Sequence, residues 1–265
     1  MIDDYCTYLA AAGYRPATIA LRRAQLHHFE DTVGVPLEQV TAAQVTSWLA
    51  QPWAPETRHS YRSAVSGLYR WAHSTGRVDH DPTINLPAVH VPAGQPHPVD
   101  DDTYRQALDR AGSRTRLMLR LAAELGLRRG EIAHLHSTDL RRDPGGWVLA
   151  VHGKGGVQRT VPVSAGLARD IRLRGPGWIF PSQRGQHVTP AWVGTLCSTA
   201  LGPKATVHGL RHRFASRAYH GTHDLRAVQE LLGHSSPATT QRYVAVDDAE
   251  LRAARVVEHS GLRLP

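Results

Sequence analysis

Apolar residues recur at helical spacing through the first third of the chain. Tyr5, Tyr8, Leu9 and Ala12 share one face of a segment over 3–12. Pro16-Ala17-Thr18 opens a second helical pattern that runs through Leu21, Leu26 and Phe29 and stops near Gly34. Thr41 reads as the N-cap of a helix over 42–50. Pro55 begins a longer one, whose stripe is Tyr61, Val65, Leu68, Tyr69 and Ala72 and whose end is Gly76. Arg58, Arg62 and Arg70 accompany that stripe. They predict contact with an anion, with a solvated charged face as the alternative.

The period is lost over 87–98, where Pro87, Pro92, Gly94, Pro96 and Pro98 predict an extended linker. The expected organisation is a helical domain at 1–88, a linker at 89–97 and a mixed domain at 98–265. In the mixed part, 101–112 and 114–125 read as helices, with Gly126 as a left-handed residue closing the second. Strands are predicted at 147–152 and 157–163, joined by the turn Gly153-Lys154-Gly155-Gly156. Helices resume near Ala191, at 208–219 and at 224–232, and Gly233 caps the last. Ser236-Pro237 reads as the start of a short helix carrying Tyr243, and 248–259 as a tail helix with Leu251, Ala254 and Val257 on one side. The fold class is mainly α with a small β-sheet, an α+β arrangement.

Charge narrows the partner. Lys and Arg total 31 against 23 Asp and Glu, a net charge of +8 with a pI near 10.0. That balance favours nucleic acid first and an acidic membrane surface second. Lys154 and Lys204 are the only lysines. Arginine grips phosphate bidentately, although the codon usage of a GC-rich genome gives the same bias. No apolar run reaches the roughly 18–20 residues of a membrane span. Met1-Ile2-Asp3-Asp4 has neither the basic nor the apolar region of a signal peptide. Cys6 and Cys197 are too few for a disulfide scaffold, so a cytoplasmic location is expected.

The candidate chemistry gathers near the C-terminus: His208-Gly209-Leu210-Arg211-His212, then His234, then Tyr243. A phenol beside cations suits attack on a phosphodiester. Free tyrosine has a pKa of about 10, so about one in a thousand is ionised at neutral pH. Positive neighbours and a positioned base make the phenolate accessible. His208 and Arg211 are three apart and share a helix face. His208 and His212 have metal-ligand spacing, but no Glu follows His208 and no third ligand stands out. Neither a metal nor a cofactor is expected.

Four motifs in one order resemble the tyrosine recombinase (phage integrase) family. They are Gly126-Leu127-Arg128-Arg129-Gly130-Glu131, Gly153-Lys154, His208-Gly209-Leu210-Arg211-His212, and Leu231-Leu232-Gly233-His234 with Thr239-Thr240-Gln241-Arg242-Tyr243. More weakly, the first part resembles the family's core-binding domain. The resemblance implies that Arg128 and Arg211 hold the non-bridging oxygens of the scissile phosphate, with Arg129 as the alternative register. It makes Lys154 the general acid for the leaving 5′ oxygen, though a solvated turn lysine is the plainer reading. His208 is the implied base, His234 a phosphate ligand and Tyr243 the nucleophile, whose attack leaves a 3′-phosphotyrosine. Glu131 would support the site by orienting a base, with a simple N-terminal helix acid as the alternative. His212 would be structural.

The implied partners are duplex DNA, three further copies in a tetramer passing through a Holliday junction, and an optional directionality factor. In relatives the tail helix docks on a neighbouring protomer. With the helical domain read as starting at residue 1, no arm-site module is expected. Integration or excision of a phage or mobile element is the expected role, on departures from common Xer wording such as His208-Gly209 and Arg213. An Xer-type chromosome-dimer resolvase and a type IB topoisomerase remain the alternatives.

Overall fold

The computed structural model describes residues 1–92, 97–153 and 158–233. Lys154, His234, Tyr243 and the expected helices after Gly233 lie outside the described residues. The chain divides into two compact units, Met1–Gly94 and Gln95–Pro265.

The first unit holds four helices: α1 (Ile2–Ala11), α2 (Pro16–Val33), α3 (Ala42–Leu49) and α4 (Pro55–Ser74). Thr41 and Gln44 close a reciprocal capping box at the start of α3. Gly34 ends α2 in the left-handed conformation. Leu26, Phe29, Val45, Val65 and Leu68 are completely sealed from solvent and form the core. Tyr69 joins them and donates its hydroxyl to the Leu37 carbonyl at 2.9 Å. Three residues of the expected stripes stay outside: Tyr8, Leu21, and Ala12, which is exposed just past the end of α1. Tyr8 lies at the rim against Tyr5 and Trp71, and Leu21 sits about 140° around α2 from Leu26. Two of the arginines of α4 have partners within the unit. Arg62 donates to the carbonyls of Leu86 and Pro87, and Arg58 to that of Gln51. Both brace the unit's own backbone, whereas Arg70 is exposed.

The second unit begins with α5 (Asp101–Arg110), α6 (Ser113–Leu125) and α7 (Arg129–Ala133). An antiparallel sheet follows, β1 (Leu140–Asp143), β2 (Gly146–His152) and β3 (Gln158–Val163), in the order β1-β2-β3. Four helices complete the described part: α8 (Ala165–Arg172), α9 (Pro190–Leu201), α10 (Val207–Thr222) and α11 (Leu225–Leu232). The mainly helical α+β class therefore holds. Strand β1 and helix α8 were not expected, and α7 only through the alternative reading of Glu131 as a helix acid. Leu140-Arg141-Arg142-Asp143 has no apolar alternation; it pairs because Asp143 Oδ1 accepts from Gly145 N and turns the chain into β2. No helix among the described residues is long and apolar enough to cross a membrane.

Helix α6 is the centre of this unit. Met118, Leu119, Leu121 and Ala122 are fully buried on it, and α9 and α10 pack against it. It ends at Gly126, φ 64°, where a Cβ would lie 2.5 Å from Phe214 Cδ1 and 2.9 Å from Leu232 Cδ2. Backbone handedness and crowding both require glycine there. The turn after α6 is thereby pressed against α10 and α11.

Candidate active site

Helix α10 carries three of the expected residues. Thr206 caps it, its hydroxyl accepting from Gly209 N at 3.1 Å. Gly209 is pinned under the segment that enters the unit: Val99 N donates to Gly209 O, and a Cβ on Gly209 would stand 2.9 Å from His97 O. This contact fixes the first turn of α10, and with it His208, Arg211 and His212.

Arg211 is a buried cation, 1% exposed. One terminal nitrogen donates to the Gly126 carbonyl and the other to the Leu232 carbonyl at 2.7 Å. Those carbonyls are the C-terminal ends of α6 and α11, where partial negative charge collects. A guanidinium this deeply buried needs acceptors of this kind or a carboxylate to offset its lost hydration.

Arg128 is the N-cap residue of α7, with a side chain 39% exposed. Its Nη1 donates to Glu131 Oε1 at 2.8 Å, its backbone N to Glu131 Oε2 at 2.9 Å, and its Nη2 to the Gly233 carbonyl at 3.4 Å. The two arginines are thus unequal: Arg211 is sealed and Arg128 faces solvent. Among the described residues Glu131 holds guanidiniums and a backbone amide. Besides Arg128 it accepts both terminal nitrogens of Arg159, at 2.9 and 2.8 Å. Burial would raise this carboxyl, but the hydrogen bonds and charge of Arg159, then of Arg128, outweigh it and hold the group below the usual range. It is also the helix-capping acid that the plainer reading anticipated.

Arg159 escaped the sequence reading. Its signal was present: it stands in phase with Val161 and Val163, both buried, on the inward side of β3. An arginine at an inward strand position calls for an acid partner.

The imidazoles are kept neutral. His208 is lowered by burial, then by Arg211 and Arg128. His212 meets it edge-on at a centroid distance of 4.4 Å. Burial, then His208, Arg211 and His97, push His212 down to about 4. A neutral His208 within the field of two arginines can accept a proton. Among the described residues no group of three or more His, Cys, Asp or Glu is set to hold a metal.

The structure brings Arg128, Glu131 and Arg211 together at the end of α11, adds Arg159, and sets His208 and His212 beside Arg211 on α10. Lys154, His234 and Tyr243 follow described residues in sequence but are not themselves described.

Residues 99–250 match the family model described as the phage integrase family. The chain is 35% identical over 221 residues to the tyrosine recombinase XerC of Azotobacter vinelandii, covering 76% of this chain and 73% of the relative. It is 32% identical over 262 residues to XerC of a Mycobacterium species, covering 87% and 86%. The fold resembles a lambda integrase tetramer bound to a Holliday junction, with a TM-score of 0.74 and 21% identity over 92% of this chain and 76% of that one. It also resembles XerH recombinase bound to palindromic difH, with a TM-score of 0.71 and 21% identity over 92% and 80%.

Proposed function

The chain belongs to the phage integrase family, the tyrosine recombinases, and from that membership we propose how it breaks and rejoins DNA. It is a tyrosine site-specific recombinase. In the proposed reaction the Tyr243 oxygen attacks the scissile phosphorus while His208 takes the phenolic proton. The bond from phosphorus to the 5′ oxygen breaks, and Lys154 protonates that oxygen. Proton donation to a poor leaving group contributes roughly 10² to 10⁴ in rate. Arg128 and Arg211, with His234, offset the charge that builds on the phosphate. The product is a 3′-phosphotyrosine and a 5′ hydroxyl. The ester keeps the bond energy, so a 5′ hydroxyl from another strand can reverse the step without ATP.

One observation carries this reading. Arg211 and Arg128 donate to the carbonyls that close α11, Leu232 and its cap Gly233, eleven and ten residues before Tyr243 in the chain. The expected cations are therefore fixed at the point from which the nucleophile segment departs.

Both units are proposed to bind duplex DNA, the first as a core-type binding domain and the second as the catalytic domain. Four copies would act on two sites within the bacterial cell. The proposed role is integration or excision of a phage or mobile element, with a directionality factor as a further partner. Chromosome-dimer resolution is the second reading, favoured by the likeness to XerC along 86% of one relative's length.

A nicked suicide duplex tests the chemistry. Wild-type chain should form a covalent adduct that peptide mapping places on Tyr243. Tyr243→Phe should abolish the adduct and keep DNA binding. Attachment at another residue overturns the reading. Strand joining between two separate duplexes separates a recombinase from a nicking-closing enzyme.

A further inference from the structure

We propose that Arg159 is a positioning residue for the reaction above, on whose reading this inference rests: it sets the pose and the effective charge of Arg128. Its side chain is 9% exposed and the carboxylate it grips is 5% exposed. Three elements meet on it. It projects from β3, binds Glu131 of α7 through both terminal nitrogens, and donates Nε to the Leu231 carbonyl of α11 at 2.8 Å. The carbonyls of Leu231, Leu232 and Gly233 therefore each accept from a different arginine, Arg159, Arg211 and Arg128 in turn.

The electrostatic consequence follows from sharing. Glu131 Oε1 accepts from Arg128 Nη1 and from Arg159 Nη1 at once. Without Arg159, one carboxylate would face one guanidinium, and Arg128 would offer a phosphate almost no net attraction. With Arg159 present, the two arginines and one acid carry a net charge of +1, and the solvent-facing member is Arg128. Arg159 thereby leaves Arg128 cationic toward the substrate without touching it. The same side chain ties β3, the strand that follows Lys154 in sequence, to the end of α11.

The test is single-turnover cleavage of a nicked duplex by the full chain at saturating protein. The scissile group is either an ordinary phosphodiester or a neutral methylphosphonate. Arg159→Met should slow cleavage of the phosphodiester about 100-fold, the scale of losing one oriented charge donor. The DNA Kd should stay within about threefold, and most of the slowing should vanish on the methylphosphonate. Arg159→Lys keeps the charge but not the fork, and should fall about tenfold with the same dependence on substrate charge. Equal slowing on both substrates, or none, overturns the proposal. Should Arg159→Met fail to fold by thermal unfolding, the Arg159→Lys substrate comparison decides alone. Absence of any wild-type adduct would instead refute the recombination chemistry and is scored separately.

Discussion

The buried guanidinium of Arg211 donates to the carbonyl of Gly126, a residue 85 positions earlier. A residue expected to act on phosphate is thus also a tie between α6, α10 and α11. Folding of the second unit and assembly of its cation site are one event. A charge with helix-terminal partners on two sides costs little to bury and much to remove.

Replacing Arg211 by Leu strands two buried carbonyls, at about 1–3 kcal/mol each. The second unit should lose about 2–5 kcal/mol of stability in urea unfolding, together with all adduct formation. Arg211→Lys should keep part of the stability and little of the activity, because one ammonium cannot reach both carbonyls in the guanidinium's plane. Unchanged stability in the Leu variant would show that these bonds do not form in solution.

Acid should weaken the fold through its histidines. In the unfolded chain an imidazole titrates near 6.5, whereas His212 in the fold is lowered to about 4. Between those values the unfolded chain binds more protons, so stability is full above pH 6.5 and falls as the pH drops toward 4. His208 is displaced in the same direction. His212→Gln should flatten the melting temperature's dependence on pH inside that window. An identical slope in the variant would contradict the assignment. Cleavage that depends on neutral His208 should persist below pH 6.5.

Two left-handed glycines of the second unit should differ in cost. At Gly175, φ 82°, a Cβ meets nothing within 4 Å, so Gly175→Ala should cost only backbone strain, about 1–2 kcal/mol. At Gly126 the same methyl collides with Phe214 and Leu232, adding about 1–3 kcal/mol of overpacking. Urea unfolding of the two variants measures the difference. Equal losses would mean that Phe214 and Leu232 can withdraw freely.

Salt should report the DNA contact. If a bound protomer neutralises about 6 to 10 phosphates, log affinity falls against log salt with a slope of about −5 to −9. Fluorescence anisotropy of a labelled duplex across a salt series gives the slope directly. A nearly flat response would remove duplex DNA as the partner.

Helix boundaries were legible at several caps written in the sequence: Thr41 and Gly34 in the first unit, Gly126 and Gly233 in the second. The hairpin strands were legible from their alternation. Strand β1 was not, since four mostly charged residues carry no period. Helix α8 is eight residues long, and only its capping Ser164 and buried Leu167 and Ile171 betray it. In the site, the motifs named Arg128, Glu131, His208 and Arg211. The motifs did not reveal that Glu131 serves two arginines, because its second partner lies 28 residues away on another element. Two departures read as hints of biological role have local causes. Gly209 yields to the His97 carbonyl, and Arg213 pairs with Asp101 and covers the Tyr104 ring at 4.5 Å.

Among the described residues, the acceptors that hold Arg211 and one flank of Arg128 belong to the main chain, and substitution cannot delete them. Nearly every neighbouring side chain can change while those two grips survive, provided α6 and α11 still end where they do. Mutational drift, or laboratory selection for a new target sequence, can therefore roam widely around this centre. Insertion or deletion of one residue at either helix end, which rotates the carbonyl away, is the lesion it does not tolerate.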